Sequence, residues 1–366
     1  MKQLKNIITF ILLNIITLFV YKVSAQNYFN KYNDLVYKSS ERNSWNSIIE
    51  ISRKGNSLDF IILSLNIDNR NQLYCAFNDT KYLEENRLII SNIINAGVKD
   101  AKDNLTWITR SKDKGTNGKQ IQLYEGYLIR YLAEFCYIAD QANLDYKKEL
   151  DLVKNIFFKW YNSSINKYGD NTGMITGRLH MGSHWSIAAQ YLLKLDKNIT
   201  NQNIYSQLIN QYDKLVRLNL KKVDNYYNWN STFDNLVGNM AKNKTIENQD
   251  VAHANHVVLY IITAYNLKNN SFWKKSDITR LVNTVKYSIY NKKDHYFYDQ
   301  VNQKKSNSLE LQNTGIRQSD GWMKLMQYDK SLYSIYEDFY TYNSKITYKS
   351  IYNSQFYVQM LINRQS

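Results

Sequence analysis

The sequence predicts an all-α chain built from antiparallel helix pairs. Apolar residues recur at three- and four-residue steps in segment after segment, roughly eight to ten helices of about 12 to 20 residues each. Strict period-2 alternation is scarce. No Gly-rich phosphate loop or strand–loop–helix pattern of a nucleotide-binding fold is present, and no short strict repeat marks a regular solenoid.

Residues 1–25 read as an export signal. Lys2 and Lys5 precede an almost wholly apolar run from Ile7 to Val20, and Val23-Ser24-Ala25 offers compact residues for cleavage before Gln26. The run is short for a spanning helix, and no Cys lies near the cut to carry a lipid. The expected product is residues 26–366 as one domain, secreted or periplasmic, with no membrane anchor after cleavage. That length is enough for a large core.

Residues 26 to about 115 are mixed, with one helix expected over Tyr82–Asn95. Asp113–Lys119, with Gly115 and Gly118, is a loop. Ile121, Tyr124, Leu128, Tyr131, Leu132 and Phe135 then mark a long amphipathic helix. Further helices are expected over Leu150–Tyr161, His184–Leu195 and Ile204–Leu220, with a turn at Gly169. A polar stretch, Tyr226–Gln249, separates these from Val251–Leu267, where Asp250 stands at the N-cap. Asp277–Tyr290 follows, with Ser276 as its expected cap. His295–Val301 reads as a strand pair or extended loop. Asp320–Tyr340 is helical with a break near Tyr328, and Tyr348–Ile362 closes the series.

The chain carries a formal charge of +15 and 32 tyrosines, with no proline. A basic surface attracts polyanions. Heavy use of Asn, Lys, Ile and Tyr is also what AT-rich coding produces, so composition alone names no partner. Zinc-finger spacing, RNP-type motifs and long basic runs are missing, which argues against nucleic acid. Cys75 and Cys136 allow one disulfide or a buried free thiol equally.

Four of the five histidines fall in two tight clusters, His180 and His184 in RLHMGSHW and His253 and His256 in QDVAHANHVVLY. On a helix, His253, His256 and Tyr260 form one stripe with Asp250 a turn earlier, and Asn255 points elsewhere. Such a stripe is costly to bury without a use. His180 and His184 have the spacing of a helical metal pair, but a zincin needs Glu after the first His and Met181 stands there. No metal or cofactor is expected. Arg178 and Trp185 flank the first pair, a carboxylate partner and a flat face for a sugar ring. DNYYNWNSTFDN (Tyr226, Tyr227, Trp229, Asn230, Asp234) and GIRQSDGWMKL (Arg317, Asp320, Trp322) are further polar–aromatic groups suited to a substrate or to caps and core.

Taken in order, the long helix, HMGSHW, the YNWN stretch, QDVAHAN and GIRQSDGWMKL resemble the (α/α) toroid proteins of bacterial polysaccharide degradation. The nearest group is the alginate lyase and chondroitin lyase superfamily, over about residues 120 to 340. The resemblance implies an incomplete or six-hairpin helical barrel. It also implies cleavage of an acidic, uronate-containing polysaccharide by β-elimination. On that pattern Asn255 and His256 neutralise the uronate carboxyl, Tyr260 and His184 serve proton transfer, and Arg178 binds carboxylate. His180, Trp185, Trp229, His253 and Asp250 then line the substrate. Asn255 and Tyr260 do not share a face of a regular helix, a departure from the pattern. The alternatives are a glycoside hydrolase using carboxyls such as Asp250, Asp170, Glu125 and Asp320, a uronyl epimerase, or a glycan-binding protein without catalysis. Oligomeric state is open.

Overall fold

The computed structural model describes residues 26–41, 44–175, 177–231, 249–303, 317–343 and 350–365. The expected signal and Asp234 lie outside them. The described chain is predominantly helical, with three two-stranded hairpins. Among the described residues, no helix is long and apolar enough to cross a membrane.

Helix α1 (26–33) is followed by α2 (Trp45–Ser52), α3 (Phe60–Phe77) and α4 (Lys81–Asn95). Hairpin β1 (Val98–Lys99) and β2 (Leu105–Thr106) leads to α5 (Gln122–Gln141) and α6 (Lys147–Tyr168). After the short α7 (Thr172–Ile175) come α8 (Leu179–Leu195) and α9 (Ile199–Asn219), then hairpin β3 (Lys221–Val223) and β4 (Tyr226–Asn228). Helices α10 (Val251–Leu267) and α11 (Lys275–Thr284) precede hairpin β5 (Tyr290–Asn291) and β6 (Tyr296–Phe297). A 3₁₀ helix, Trp322–Gln327, then α12 (Ser331–Asn343) and α13 (Ser350–Gln365), complete the order.

The neighbours explain the burial. Helix α3 packs on α5, α5 on α8 and α8 on α10. Helix α10 meets the 3₁₀ helix, which meets α13, and α13 returns to α3. Outside these lie α4 on α3, α6 on α5, α9 on α8, α11 on α10 and α12 against α13. Helices α8 and α10 are therefore buried nearly all round, while α6 and α9 show one wet face.

Several boundaries differ from the sequence expectation. Helix α8 begins at Leu179 rather than His184, so it includes Gly182. A Cβ there would lie 2.7 Å from the Ile175 carbonyl oxygen and 2.8 Å from the Tyr212 ring. Close packing, not a helix break, is the reason for that glycine. The cap of α11 is Lys274 rather than Ser276: the Asp277 carboxylate accepts the Lys274 backbone N–H at 2.9 Å. Tyr226–Asn228 is a strand rather than a loop, with Tyr227 buried and its hydroxyl donating to Asp277 at 2.5 Å. Helix α3 was not expected at all. The break expected near Tyr328 separates the 3₁₀ helix from α12. Cys75 and Cys136 are free thiols.

Candidate functional site

Helices α5, α8 and α10 bring their polar residues to one place. Asp250 caps α10, its carboxylate accepting the His253 backbone N–H at 2.9 Å. The second carboxylate oxygen lies 2.8 Å from His253 Nδ1, which fixes that ring at the mouth of the site. One turn on, His256 is buried. Its Nε2 lies 2.9 Å from the Tyr127 hydroxyl. Its Nδ1 lies 2.9 Å from both Arg130 Nη1 and Asp320 Oδ2.

Arg130 can only donate and an ionised Asp320 can only accept, so Nδ1 satisfies one of them at a time. In one tautomer Nδ1–H donates to Asp320 and Nε2 accepts the Tyr127 O–H. In the other, Nδ1 accepts from Arg130 and Nε2–H donates to the Tyr127 oxygen. The Arg130–Asp320 ion pair, 2.8 Å, braces both forms, and Tyr131 donates its hydroxyl to Asp320 as well.

Charge follows from this packing. Burial opposes ionisation of Asp320, but Arg130, with His256 and Tyr131, holds its carboxyl well below the usual carboxylate range. Burial, and then Arg130, lower the His256 pKa to about 4 despite Asp320. Burial raises Tyr127 well above an ordinary phenol against the pull of Arg130. At neutral pH the pair is therefore a neutral imidazole facing a neutral phenol.

His184 and His180, a turn apart on α8, complete the cluster. The His184 ring sits 4.4 Å from Tyr127 and 4.7 Å from His256, centroid to centroid. It is fully buried, and neither ring nitrogen has a hydrogen-bond partner among the described residues. His180 stacks on His253 at 4.3 Å, and its Nδ1 likewise has no hydrogen-bond partner among the described residues. Burial first, then neighbouring positive charge, pushes both imidazoles well below their usual pKa.

The cluster opens on a small cavity of about 50 Å³, lined by Tyr127, His253, His256, Arg317, Asp320 and Tyr352 among others. The Arg317 guanidinium lies over the Tyr352 ring at 5.2 Å. A roomier groove of about 880 Å³ lies on other elements. His256, with its depressed imidazole, lines the smaller one, and the rings of His180 and His184 pack against its lining residues His253 and Tyr127, which is what marks it as the candidate for chemistry.

The other residues singled out from the sequence take different places. Asn255 lines the cavity, but its amide is engaged by backbone: Nδ2 donates to the carbonyls of Arg317 and, at 3.2 Å, Ala252, while Oδ1 accepts the Trp322 N–H at 3.0 Å. Tyr260 lies one turn beyond His256 on α10 and meets a different neighbour. It donates to Asp213 of α9 at 2.6 Å and packs on Tyr212, away from the histidines. Trp185 is buried beside Trp160, and Trp229 is buried and stacked on Trp322. Arg178 is the exposed residue preceding α8. Among the described residues no group of three or more His, Cys, Asp or Glu is arranged to hold a metal ion.

Sequence reasoning passed over Tyr127 and Arg130. Their i, i+3 spacing on α5 was the available signal. Neither models of known protein families nor curated proteins give a match to this chain.

Proposed function

We propose that this chain is an exported polysaccharide lyase on an (α/α) toroid, cleaving a uronate-containing polysaccharide by β-elimination, with Tyr127 and His256 as its proton-transfer pair. The observation that carries the reading is the 2.9 Å contact between the Tyr127 hydroxyl and His256 Nε2 at the cavity wall. The cyclic order of helix contacts, from α3 through α5, α8, α10 and the 3₁₀ helix to α13 and back, supports the toroid. The first 25 residues support export.

In this reading Arg317 at the cavity pairs with the uronate carboxylate and lowers the cost of charge building on it. The Tyr127 oxygen takes the proton next to that carboxyl while its own proton passes to His256 Nε2. The imidazolium so formed donates from Nδ1 to Asp320. As the carbon–oxygen bond to the next sugar breaks, Tyr127 protonates the leaving oxygen and recovers a proton from His256. Base and acid are then the same phenol, and His256 begins and ends neutral. Tyr127 takes the role first assigned to Tyr260, and Arg317 that of Arg178.

Hydrolysis is less well supported. Asp320 is held by Arg130, Asp250 by His253, Glu125 by Lys159 and Trp160, and Asp170 by Thr172. Elimination leaves a double bond conjugated with the carboxyl. Absorbance in the ultraviolet should rise on incubation with at least one of alginate, glucuronan, chondroitin or heparan-type polymers, and with no neutral one. Tyr127→Phe should lower kcat on the order of 10²–10⁴, and His256→Ala similarly. New reducing ends without absorbance would sink the lyase reading in favour of hydrolysis. Exchange of the carbon-bound proton without cleavage would favour epimerisation.

A further inference from the structure

The groove of about 880 Å³ shares no lining residue with the histidine cavity. It runs between the exposed flank of α6 and the turn that joins β1 to β2. Its floor is Lys159 and Trp160, both half-buried. Their polar atoms are tied down: the Lys159 ammonium meets the buried Glu125 carboxylate at 2.6 Å, and the Trp160 indole N–H donates to the same carboxylate at 2.8 Å. Burying such an ion pair costs desolvation, and what it yields here is an indole held rigid in the groove wall. A fixed aromatic face loses little freedom on binding.

The rim has a different character. Asn162 and Asn166, one turn apart on α6, are exposed carboxamides that both donate and accept. Lys102 and Lys167 stand on opposite sides, on the turn and the helix. The one acid in the lining, Asp100, is spent on the turn itself, accepting from the Lys102 and Asn104 backbone N–H groups and the Asn104 amide. The rim therefore offers positive charge and amides above a fixed ring. That combination suits sugar rings with hydroxyls and anionic groups, and it suits neither an apolar ligand nor a cation. A volume of this size holds several sugar units.

We propose that this groove is a second binding site, taking an acidic oligosaccharide whose carboxylate or sulfate groups meet Lys102 and Lys167 while a sugar ring lies on Trp160. It rests on the substrate class proposed above but not on the elimination chemistry. Its use would be to hold a polymer away from the reacting centre, so that the next bond is presented without full release.

The test is calorimetric titration of the full chain with size-defined alginate and chondroitin sulfate tetrasaccharides, and with a neutral tetrasaccharide as control. Lys102→Glu/Lys167→Glu should weaken groove binding by about tenfold or more. It should leave elimination from a tetrasaccharide unchanged and slow it on polymer. Asn162→Ala/Asn166→Ala, on an exposed helix face, checks the same groove without charge reversal and should weaken binding less. If the charge-reversed protein binds and processes polymer like the wild type, the proposal is overturned while elimination stands. If binding falls as expected but no polymer yields absorbance, the groove stands and the lyase reading falls. Equal binding of the neutral sugar overturns the acidic specificity, and no binding of any oligosaccharide overturns the site.

Discussion

His184 is the least compensated residue of the cluster: a buried imidazole against Tyr127 and His256 whose two nitrogens find no hydrogen-bond partner among the described residues. Its pKa, like those of His180 and His256, lies below that of the unfolded chain. Below pH about 6.5 the unfolded state then takes up protons that the folded state refuses. Stability therefore falls as the pH drops from about 6.5 toward 4. Asp68 acts in the opposite sense. Burial raises its carboxyl above the usual carboxylate range despite Lys324, so the folded state takes up a proton there more readily than the unfolded chain. The informative quantity is a difference: His184→Asn, followed by urea titration at pH 7 and pH 5, should lose less stability on acidification than the wild type. Equal losses would show that His184 is not held neutral. The sequence identified the four histidines because a stripe of imidazoles on an apolar helix is conspicuous. Arg130 was less conspicuous: beyond its spacing to Tyr127, an arginine on an amphipathic helix reads as a solvent-facing residue until Asp320 is seen opposite it.

At the scale of elements, periodicity located the helices whose polar faces meet water, α4, α5, α6 and α9, and also α10, whose Asp250 cap was plain. It missed α3. There Asn66, Asp68, Asn69, Arg70 and Asn71 are buried along with Leu63, Leu65, Ile67 and Leu73, so polar and apolar positions cease to separate inside from outside. Pattern reading assumes that polar means wet, and α3 breaks the assumption. Two glycines show how tightly the site helices are seated. Gly182→Ala should cost about 1–3 kcal/mol in denaturant unfolding, because the new methyl meets the Ile175 carbonyl rather than a yielding side chain. Gly321→Ala should cost at least as much and also lower activity, since its Cβ would lie 2.1 Å from the Asn255 carbonyl oxygen and displace Asp320 next to it. An unchanged unfolding midpoint for Gly182→Ala would refute the close approach of α8 to α7.

Across the molecule, the resemblance suggested by scattered motifs was worth most for class: helices were expected and found, while Asn255 is hydrogen-bonded to backbone and Tyr260 to Asp213. The interior these helices enclose is charged. Lys324 of the 3₁₀ helix meets Asp68 of α3 at 2.7 Å, both buried, and lies over the Tyr131 ring at 5.1 Å. Removing one partner, as in Lys324→Met, should cost about 3–5 kcal/mol. Removing both with Asp68→Leu should recover much of it, a coupling that a double-mutant cycle measures. Additive losses would mean the two charges do not stabilise each other. Helix α3 is bound from the far end of the chain as well: its Asn69 amide donates to the Ser354 hydroxyl of α13 at 3.0 Å. On a ribosome, then, α3 waits for nearly three hundred further residues before that inner face is covered. Until α13 emerges, the face of α3 that carries Asn69 lacks its partner helix, and the chain cannot close into its final form. Supplying α13 as a separate peptide to a chain ending before it should restore the fold in solution.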